Sequence, residues 1–189
     1  MSNKFVQFNT LLHSKEYDTV AVSETWFDSS VLNSEFIISG NTCFRQDGRI
    51  ELFDDEQYVK EAWGGVIILV KDDSRLDLVD FDVGAELISW IIRPKDSEPI
   101  GLCCLYRPKA AGLKYLDRIR KFLDEYDHSN IVIVGDFNFR GIDWLTLEGS
   151  NYIENAFIET ILDNSLSQLV TQPTRGKNIF DLVLTDNVI

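Results

Sequence analysis

Residues 131–138 read Ile-Val-Ile-Val-Gly-Asp-Phe-Asn, an apolar run that stops abruptly at polar residues. Four successive β-branched residues before Gly135 predict a strand that is buried on both faces, as in the middle of an α/β sheet. Asp136 and Asn138 would then lie at the end of that strand, where loops converge to form sites in α/β proteins. These eight residues therefore predict an α/β fold, and Asp136 and Asn138 form one half of a candidate site.

The rest of the chain supplies further elements of both kinds. We predict strands at 19–22, 66–70, 86–92, 100–106 and 180–185, and helices at 4–13, 115–126 and 152–161. Residues 41–62 are rich in charge and turn formers, and 45–48 (Arg-Gln-Asp-Gly) predict a turn. Strands and helices alternate loosely, with runs of consecutive strands. This order predicts one α/β domain over residues 1–189, with two packed sheets and helices outside.

Composition narrows the class of function. The net charge of −13 argues against nonspecific electrostatic binding to a polyanion, although a bound divalent cation would change the local field. The three cysteines, Cys43, Cys103 and Cys104, are interpreted as small buried residues of a reducing compartment. The sequence starts without a secretion-signal pattern and has no apolar run long enough to span a membrane. We therefore expect an intracellular protein, nuclear or cytoplasmic, without a membrane partner.

A second polar cluster follows another predicted strand. Glu24 comes directly after residues 20–22, which are apolar. Carboxylates that lie together repel one another unless a proton or a cation sits between them, and Glu, Asp and Asn oxygens suit Mg²⁺ or Mn²⁺. Alternatively, Glu24 is a helix cap, and Asp136 and Asn138 are ordinary turn residues. The spacing alone leaves both interpretations open.

Six segments resemble, in order, those of one superfamily. They are Val22-Ser23-Glu24-Thr25-Trp26, residues 45–48, Gly64-Gly65 with the strand that follows, Leu105-Tyr106-Arg107-Pro108, residues 133–138, and Gln172-Pro173-Thr174-Arg175 leading to residues 180–184. The sequence thereby resembles the endonuclease/exonuclease/phosphatase superfamily and, within it, the endonuclease domain of LINE-type (non-LTR) retrotransposons. The resemblance implies a four-layered α/β sandwich that hydrolyses phosphodiesters. In retrotransposons this means nicking of DNA by a domain that shares its polyprotein with a reverse transcriptase.

The resemblance also implies a role for each residue of the two polar clusters. Glu24 would be the metal ligand for Mg²⁺ or Mn²⁺. Asp136 would orient or deprotonate the attacking water, and Asn138 would hold the phosphate or the nucleophile. A cation and hydrogen-bond donors of this kind stabilise the charge that develops on the phosphate oxygens in the transition state.

Four further residues take implied roles around these clusters. Tyr106 would donate a hydrogen bond to a phosphate oxygen, although a core aromatic residue at a strand end has the same pattern. Asp181 would orient the catalytic histidine of the family, or else is a strand carboxylate exposed to water. Thr174 and Arg175 would contact the substrate.

Two strands of the superfamily have no counterpart in these 189 residues. One is a first strand that ends in an Asn near the metal, and the other is a last strand that carries Ser-Asp-His. His13 and His128 lie in or beside predicted helices and match neither position. We therefore expect a sandwich that lacks its first and last strands, inactive as given unless the missing groups are supplied. A non-catalytic remnant that binds metal or DNA weakly, and a phosphatase acting on a small phosphate ester, are the alternatives.

Overall fold

The computed structural model describes most of the chain, namely residues 8, 10, 14, 17–27, 30–35, 40–48, 64–72, 75–82, 87–109, 111–126 and 130–187. Eleven strands are present in this part: β1 Thr19–Ser23, β2 Asn41–Gln46, β3 Val66–Lys71, β4 Arg75–Asp82, β5 Leu87–Arg93, β6 Ile100–Tyr106, β7 Ile131–Asp136, β8 Ile142–Asp143, β9 Glu148–Gly149, β10 Ser167–Gln168 and β11 Asp181–Thr185. The helices are α1 Leu113–Glu125 and α2 Tyr152–Asp163, and Asn33–Glu35 form one 3-10 turn. Most of the predicted helix at 4–13 lies outside the described residues. His13, Glu86 and His128 also lie outside them.

The larger sheet has six strands in the order β10-β11-β7-β6-β5-β4. Neighbouring strands are antiparallel except β6 and β7, which are parallel. Asp136, the last residue of β7, is paired with Tyr106 on one side and Asp181 on the other. The strand register alone therefore brings three of the predicted site residues to one end of this sheet.

Side chains of the larger sheet alternate between two cores. In β6, Cys103 packs with the helices, whereas Cys104 packs with β3 of the other sheet. In β7, Ile133 belongs to the helix side, and Val134 to the side between the sheets. Because both faces are covered, these strands contain nearly continuous apolar residues, as the sequence predicted.

The smaller sheet has three antiparallel strands in the order β1-β3-β2. Ile68 of its central strand faces the larger sheet, and Ile67 faces outward. The outward side is covered by apolar residues from the chain before and after β1, among them Phe8, Phe27 and Val31.

Four layers result: helices α1 and α2, the six-stranded sheet, the three-stranded sheet, and its outer cover. The predicted α/β sandwich of two packed sheets is thus confirmed.

The six-stranded sheet is mixed, whereas the described strands of the smaller sheet are all antiparallel. The edge strands of these two sheets that were not predicted are β4, β10 and β2, and Arg45 and Gln46 of the expected turn are the last residues of β2. Edge strands have one unpaired side and a partly polar sequence, which resembles that of a loop.

Candidate active site

Asp136 is the most deeply buried acidic residue of the candidate site. Its side chain is fully inaccessible, and its backbone carbonyl accepts a hydrogen bond of 2.8 Å from the amide of Arg107. The next amide, that of Phe137, donates to the carbonyl of Phe180 at 2.9 Å. The β7 strand end is therefore fixed on both sides by its neighbours before the chain turns away.

Asn138 completes a tight turn with Asp136. Its backbone amide donates to Oδ1 of Asp136 at 2.9 Å, and its φ of 50° lies in the left-handed region that Asn tolerates better than most residues. The side-chain Nδ2 donates to the carbonyl of Arg107 at 2.9 Å. The amide oxygen Oδ1 is buried and has no hydrogen-bond partner within the described part of the chain. A buried acceptor without a protein partner is costly, so this oxygen is a candidate atom for binding a ligand.

Arg107 holds this turn, although it was not among the predicted site residues. Its guanidinium is buried and donates to the carbonyls of Phe137 at 3.3 Å and Ala111 at 2.6 Å. It also lies over the ring of Phe139, with 4.2 Å to the centroid. Burial lowers the pKa of Arg107, with opposing contributions from Tyr115 and Glu154. The sequence gives no indication of this clamp, because an arginine beside a proline is typical of an exposed loop.

Glu24 approaches the site from the smaller sheet. It follows β1 with a φ of 55°, and its side chain is 29% exposed. The turn is held by Gly64 and Gly65, whose carbonyls accept from the amides of Trp26 at 2.8 Å and Thr25 at 3.2 Å. Gly65 has a φ of 81°, and a Cβ there would lie 2.4 Å from Oγ1 of Thr25. The glycine pair therefore positions Glu24, which explains why both segments occur together in the sequence.

Arg175 joins the two sheets at this point. Its Nη2 donates to Oε2 of Glu24 at 3.0 Å and to Oδ2 of Asp136 at 3.3 Å. The hydroxyl oxygen of Thr174 accepts from the amides of Phe180 at 3.0 Å and Asp181 at 3.2 Å, which fixes the loop that carries Arg175. Thr174, expected to contact the substrate, thus also has a structural role.

The pKa of Asp136 is raised to about 7. Burial is the main cause, and the negative charge of Glu24 and, less strongly, that of Asp181 add to it. The amide of Asn138 and the guanidinium of Arg175 lower the pKa without cancelling the rise. The carboxyl is therefore poised to take up or release a proton near neutral pH, the property that general bases share.

Tyr106 and Asp181 flank Asp136 with different degrees of exposure. Tyr106 is 7% exposed and packs in the core between the two sheets, so it is a strand-end core aromatic as well as a neighbour of the site. Asp181 is half-buried in β11. Both residues lie beside Asp136 through strand pairing, and their chemical roles stay predictions.

The donor set suits a hard cation. The described residues contain no group of three His, Cys, Asp or Glu side chains arranged around one point. Glu24 and Asp136 nevertheless point to one shared cationic group, and Asn138 Oδ1 lies buried beside Asp136 without a partner among the residues that the structure describes. Two carboxylates and an amide oxygen are the ligands that Mg²⁺ and Mn²⁺ prefer. The residues present therefore fit such an ion, with Arg175 in contact with the same carboxylate oxygens.

Comparison with known proteins identifies the architecture. A family model described as "Endonuclease-reverse transcriptase" matches residues 100–189. The endonuclease domain of TRAS1, a telomere-specific non-LTR retrotransposon, superposes with a TM-score of 0.67 at 14% identity, covering 95% of this chain and 77% of that one. The chain has the endonuclease/exonuclease/phosphatase fold. The resemblance to that superfamily predicted from the sequence is thereby confirmed.

Two further solved structures share the endonuclease/exonuclease/phosphatase fold. An AP endonuclease from Archaeoglobus fulgidus gives a TM-score of 0.61 at 15% identity, covering 95% of this chain and 80% of that one. An endonuclease/exonuclease/phosphatase protein from Beutenbergia cavernae gives 0.57 at 12% identity, covering 95% and 58%. No curated protein matches the chain by sequence. In the described part of the chain, no helix is long and apolar enough to cross a membrane.

Proposed function

We propose that this chain is a phosphodiesterase dependent on Mg²⁺ or Mn²⁺, and that its substrate is DNA, which it nicks. One observation carries the proposal: carboxylates from two different sheets, Glu24 and Asp136, meet at one cationic group beside the unpartnered amide oxygen of Asn138. Acidic groups are costly to hold together in this way without a cation, so such clusters occur at functional sites. The likeness to a retrotransposon endonuclease domain and the family model described above support DNA as the substrate.

Each residue has a defined task in this reaction. Glu24 would hold the metal ion, which supplies positive charge to the phosphate oxygens when bound. Asp136 accepts a proton from the attacking water, whose oxygen forms the new bond to phosphorus while the bond to the leaving oxygen breaks. Asn138 orients the phosphate or the water: Oδ1 would accept from the water, and the second hydrogen of Nδ2 would donate to a phosphate oxygen.

The remaining predicted residues act on the substrate or on their neighbours. Arg175, with its half-exposed guanidinium, would turn from the carboxylates to a phosphate when the metal binds. Tyr106 would donate to a phosphate oxygen, Thr174 would hold the loop of Arg175, and Asp181 would orient the group that protonates the leaving oxygen. A reverse transcriptase in the same polyprotein would be the partner, and the protein would act inside the cell.

The choice of substrate makes a sharp test possible. Thymidine 5′-(p-nitrophenyl phosphate) has a leaving group that departs without a general acid, so its hydrolysis does not depend on the group that protonates the leaving oxygen. We expect hydrolysis in the presence of Mn²⁺, with none in EDTA and none in the Asp136→Asn variant. Plasmid nicking, measured in parallel, tests whether DNA itself is cut.

The same assay separates the alternatives. Hydrolysis of the monoester p-nitrophenyl phosphate without hydrolysis of the diester would replace the proposal with a phosphatase. Mn²⁺ binding by calorimetry without hydrolysis of any ester would indicate a non-catalytic remnant. Equal hydrolysis by the parent and by Asp136→Asn would remove Asp136 from the reaction.

A further inference from the structure

A cleft opens directly beside the candidate active site. It has a volume of about 440 Å³ and is lined by residues 139–144 on one side and 177–179 on the other. The first wall begins one residue after Asn138, and the second begins two residues after Arg175. Arg140 of the cleft and Arg175 of the site lie 6.0 and 5.4 Å from the centroid of the same ring, that of Phe180, so a strand bound at the site can extend to the cleft.

The first wall is a rigid hairpin. Glu154 of α2 is buried, and its carboxylate accepts from the amide of Gly141 at 2.8 Å, the amide of Ser150 at 3.0 Å and the hydroxyl of Ser150 at 2.7 Å. These bonds tie together the two ends of the hairpin formed by β8 and β9. A Cβ on Gly141 would lie 1.8 Å from Oγ of Ser150, so the segments are in close contact. The wall is thus fixed before any ligand binds.

The cleft carries positive charge in an acidic protein. Arg140 and Lys177 line it and are exposed, and neither forms a salt bridge with an acid in the part of the chain described here. The cleft has one acidic residue, Asp143, whose Oδ1 accepts from the amides of Leu145 at 2.8 Å and Thr146 at 3.2 Å. With a net charge of −13 for the whole chain, two exposed cations at one cleft favour an anionic ligand.

An aromatic side chain completes the lining. Trp144 is half-buried, packs against the core on the helix side and lines the cleft. An aromatic ring near cationic side chains is the combination that binds single nucleotides within a strand, because the base stacks on the ring and the phosphates meet the cations. The volume also lies in the range of roughly 300–1,000 Å³ that is usual for ligand sites.

We propose that this cleft binds the nucleotide next to the phosphodiester that is cut, with the base against Trp144 and a flanking phosphate between Arg140 and Lys177. The inference rests on the proposed function, since it takes the substrate to be a nucleic acid strand. It adds a binding site outside the reacting groups, on residues that were not predicted from the sequence. In this arrangement the cleft determines how the strand is placed, and Asp136 acts on the phosphate so placed.

The test is DNA binding without hydrolysis. Fluorescence anisotropy of a labelled single-stranded oligonucleotide, in EDTA and at several salt concentrations, gives an affinity and a salt dependence. We expect Lys177→Ala and Arg140→Ala each to weaken binding several-fold and to reduce the salt slope by about one. Trp144→Ala should weaken binding about tenfold with an unchanged salt slope, and Trp144→Phe should restore most of it.

A matched control comes from the other end of the larger sheet. Lys95 is exposed in the turn between β5 and β6, far from the Tyr106 end of β6, so Lys95→Ala removes one charge without touching the cleft. If Lys177→Ala and Lys95→Ala weaken binding equally, only net charge matters and the cleft assignment is wrong. The exposed Lys177 tests the cleft even if Trp144→Ala fails to fold.

The experiments distinguish an error in the cleft assignment from an error in the proposed function. Diester hydrolysis that needs Asp136, together with DNA binding that is indifferent to Lys177, Arg140 and Trp144, would overturn the cleft alone. DNA binding that needs those three residues, without hydrolysis of any diester, would overturn the proposed reaction and keep the cleft.

Discussion

The two sheets contribute to the site in different ways. The six-stranded sheet provides Tyr106, Asp136 and Asp181 from three adjacent strands, so their proximity is set by hydrogen-bonded register. The three-stranded sheet provides Glu24 through a loop held by Gly64 and Gly65, so its position depends on how the two sheets pack. One half of the site is therefore a property of a single sheet, and the other half exists only in the folded sandwich.

Burial follows the same division. The side chain of Asp136 is 0% exposed, whereas that of Glu24 is 29% exposed. A buried carboxylate with a pKa of about 7 is suited to proton transfer, and a partly exposed one is suited to holding an exchangeable ion. In the proposed function, the larger sheet would therefore provide the proton acceptor, and the smaller sheet would provide the more accessible metal ligand.

The largest expected effect is on diester hydrolysis, and it distinguishes proton transfer by Asp136 from metal binding by Glu24. Asp136→Asn should lower diester hydrolysis by several orders of magnitude at every Mn²⁺ concentration, because the water loses its base. Glu24→Gln should lower it at low Mn²⁺ and recover as Mn²⁺ is raised, because a metal ligand is weakened. Rates measured against Mn²⁺ concentration check both variants. Recovery of Asp136→Asn at high Mn²⁺ would reverse the two assignments.

The next largest effect concerns stability, at one glycine near the site in each of the two sheets. A Cβ on Gly135, whose φ is 146°, would lie 1.8 Å from the carbonyl oxygen of Leu105. Gly135→Ala should therefore lower the free energy of unfolding by about 4 kcal/mol or more, through strain and the shift of β6. Gly65→Ala would place its Cβ 2.4 Å from a side-chain hydroxyl, that of Thr25, with the nearest backbone atom, the amide nitrogen of Gly48, at 3.0 Å, and should cost about 2 kcal/mol. Urea unfolding measures both.

Gly112→Ala is the control for these two variants. A Cβ on Gly112 meets nothing within 4 Å, so we expect a change within about 1 kcal/mol. A cost for Gly65→Ala equal to that for Gly135→Ala would contradict the lower cost that we expect from its longer contact distances.

The larger sheet was predictable from sequence because of its burial on both faces. Residues 131–136 have no polar interruption before Asp136, so the strand and the place of the carboxylate follow from one pattern. The helix at 152–161 was also predicted, and the structure extends it to Asp163. The spacing Asn151–Glu154 resembles a capping box and could have indicated that Glu154 is buried and holds the neighbouring loop.

The tertiary contacts of polar residues could not be predicted from the sequence. Arg107 and Arg175 look like exposed loop residues, yet Arg107 is buried against the Asn138 turn and Arg175 bridges carboxylates from both sheets. Apart from the carbonyl of Ala111, which accepts from Arg107, their hydrogen-bond partners are 30 to 151 residues away in the chain, so little in the local sequence distinguishes them. The cleft with Trp144 was missed for the same reason, since its two walls come from distant segments.

The pH dependence of stability tests the raised pKa of Asp136. The pKa of Asp136 is about 7 in the folded protein against 3.8 for an unperturbed carboxyl, so the fold favours the protonated form. The stabilisation is complete below about pH 4 and is lost progressively as the pH rises to about 7. Asp136→Asn stays neutral throughout, so relative to the parent it should gain about 4 kcal/mol between pH 4 and pH 8. Urea unfolding of the metal-free proteins at both pH values checks this. A difference between parent and variant that does not change with pH would contradict the raised pKa.

The smallest expected effect tests the contact that joins the two sheets. The guanidinium of Arg175 lowers the pKa of Asp136, so Arg175→Gln should raise that pKa above about 7. The rise should be less than about one unit, because Arg175 is half-exposed and water screens its charge. The ¹³C NMR titration of the Asp136 carboxyl in the metal-free protein measures this rise in pKa. Arg140→Gln is the control, because it removes a nearby charge without the contact.

Repeating both titrations in the Glu24→Gln background shows whether the guanidinium of Arg175 acts on Asp136 alone or on Glu24 and Asp136 together. A smaller rise in that background means that Glu24 helps to hold Arg175 in place, so the smaller sheet influences the chemistry of the larger one. An equal rise in both backgrounds means that the two halves of the site act independently, which would break the link between the sheets that this contact implies.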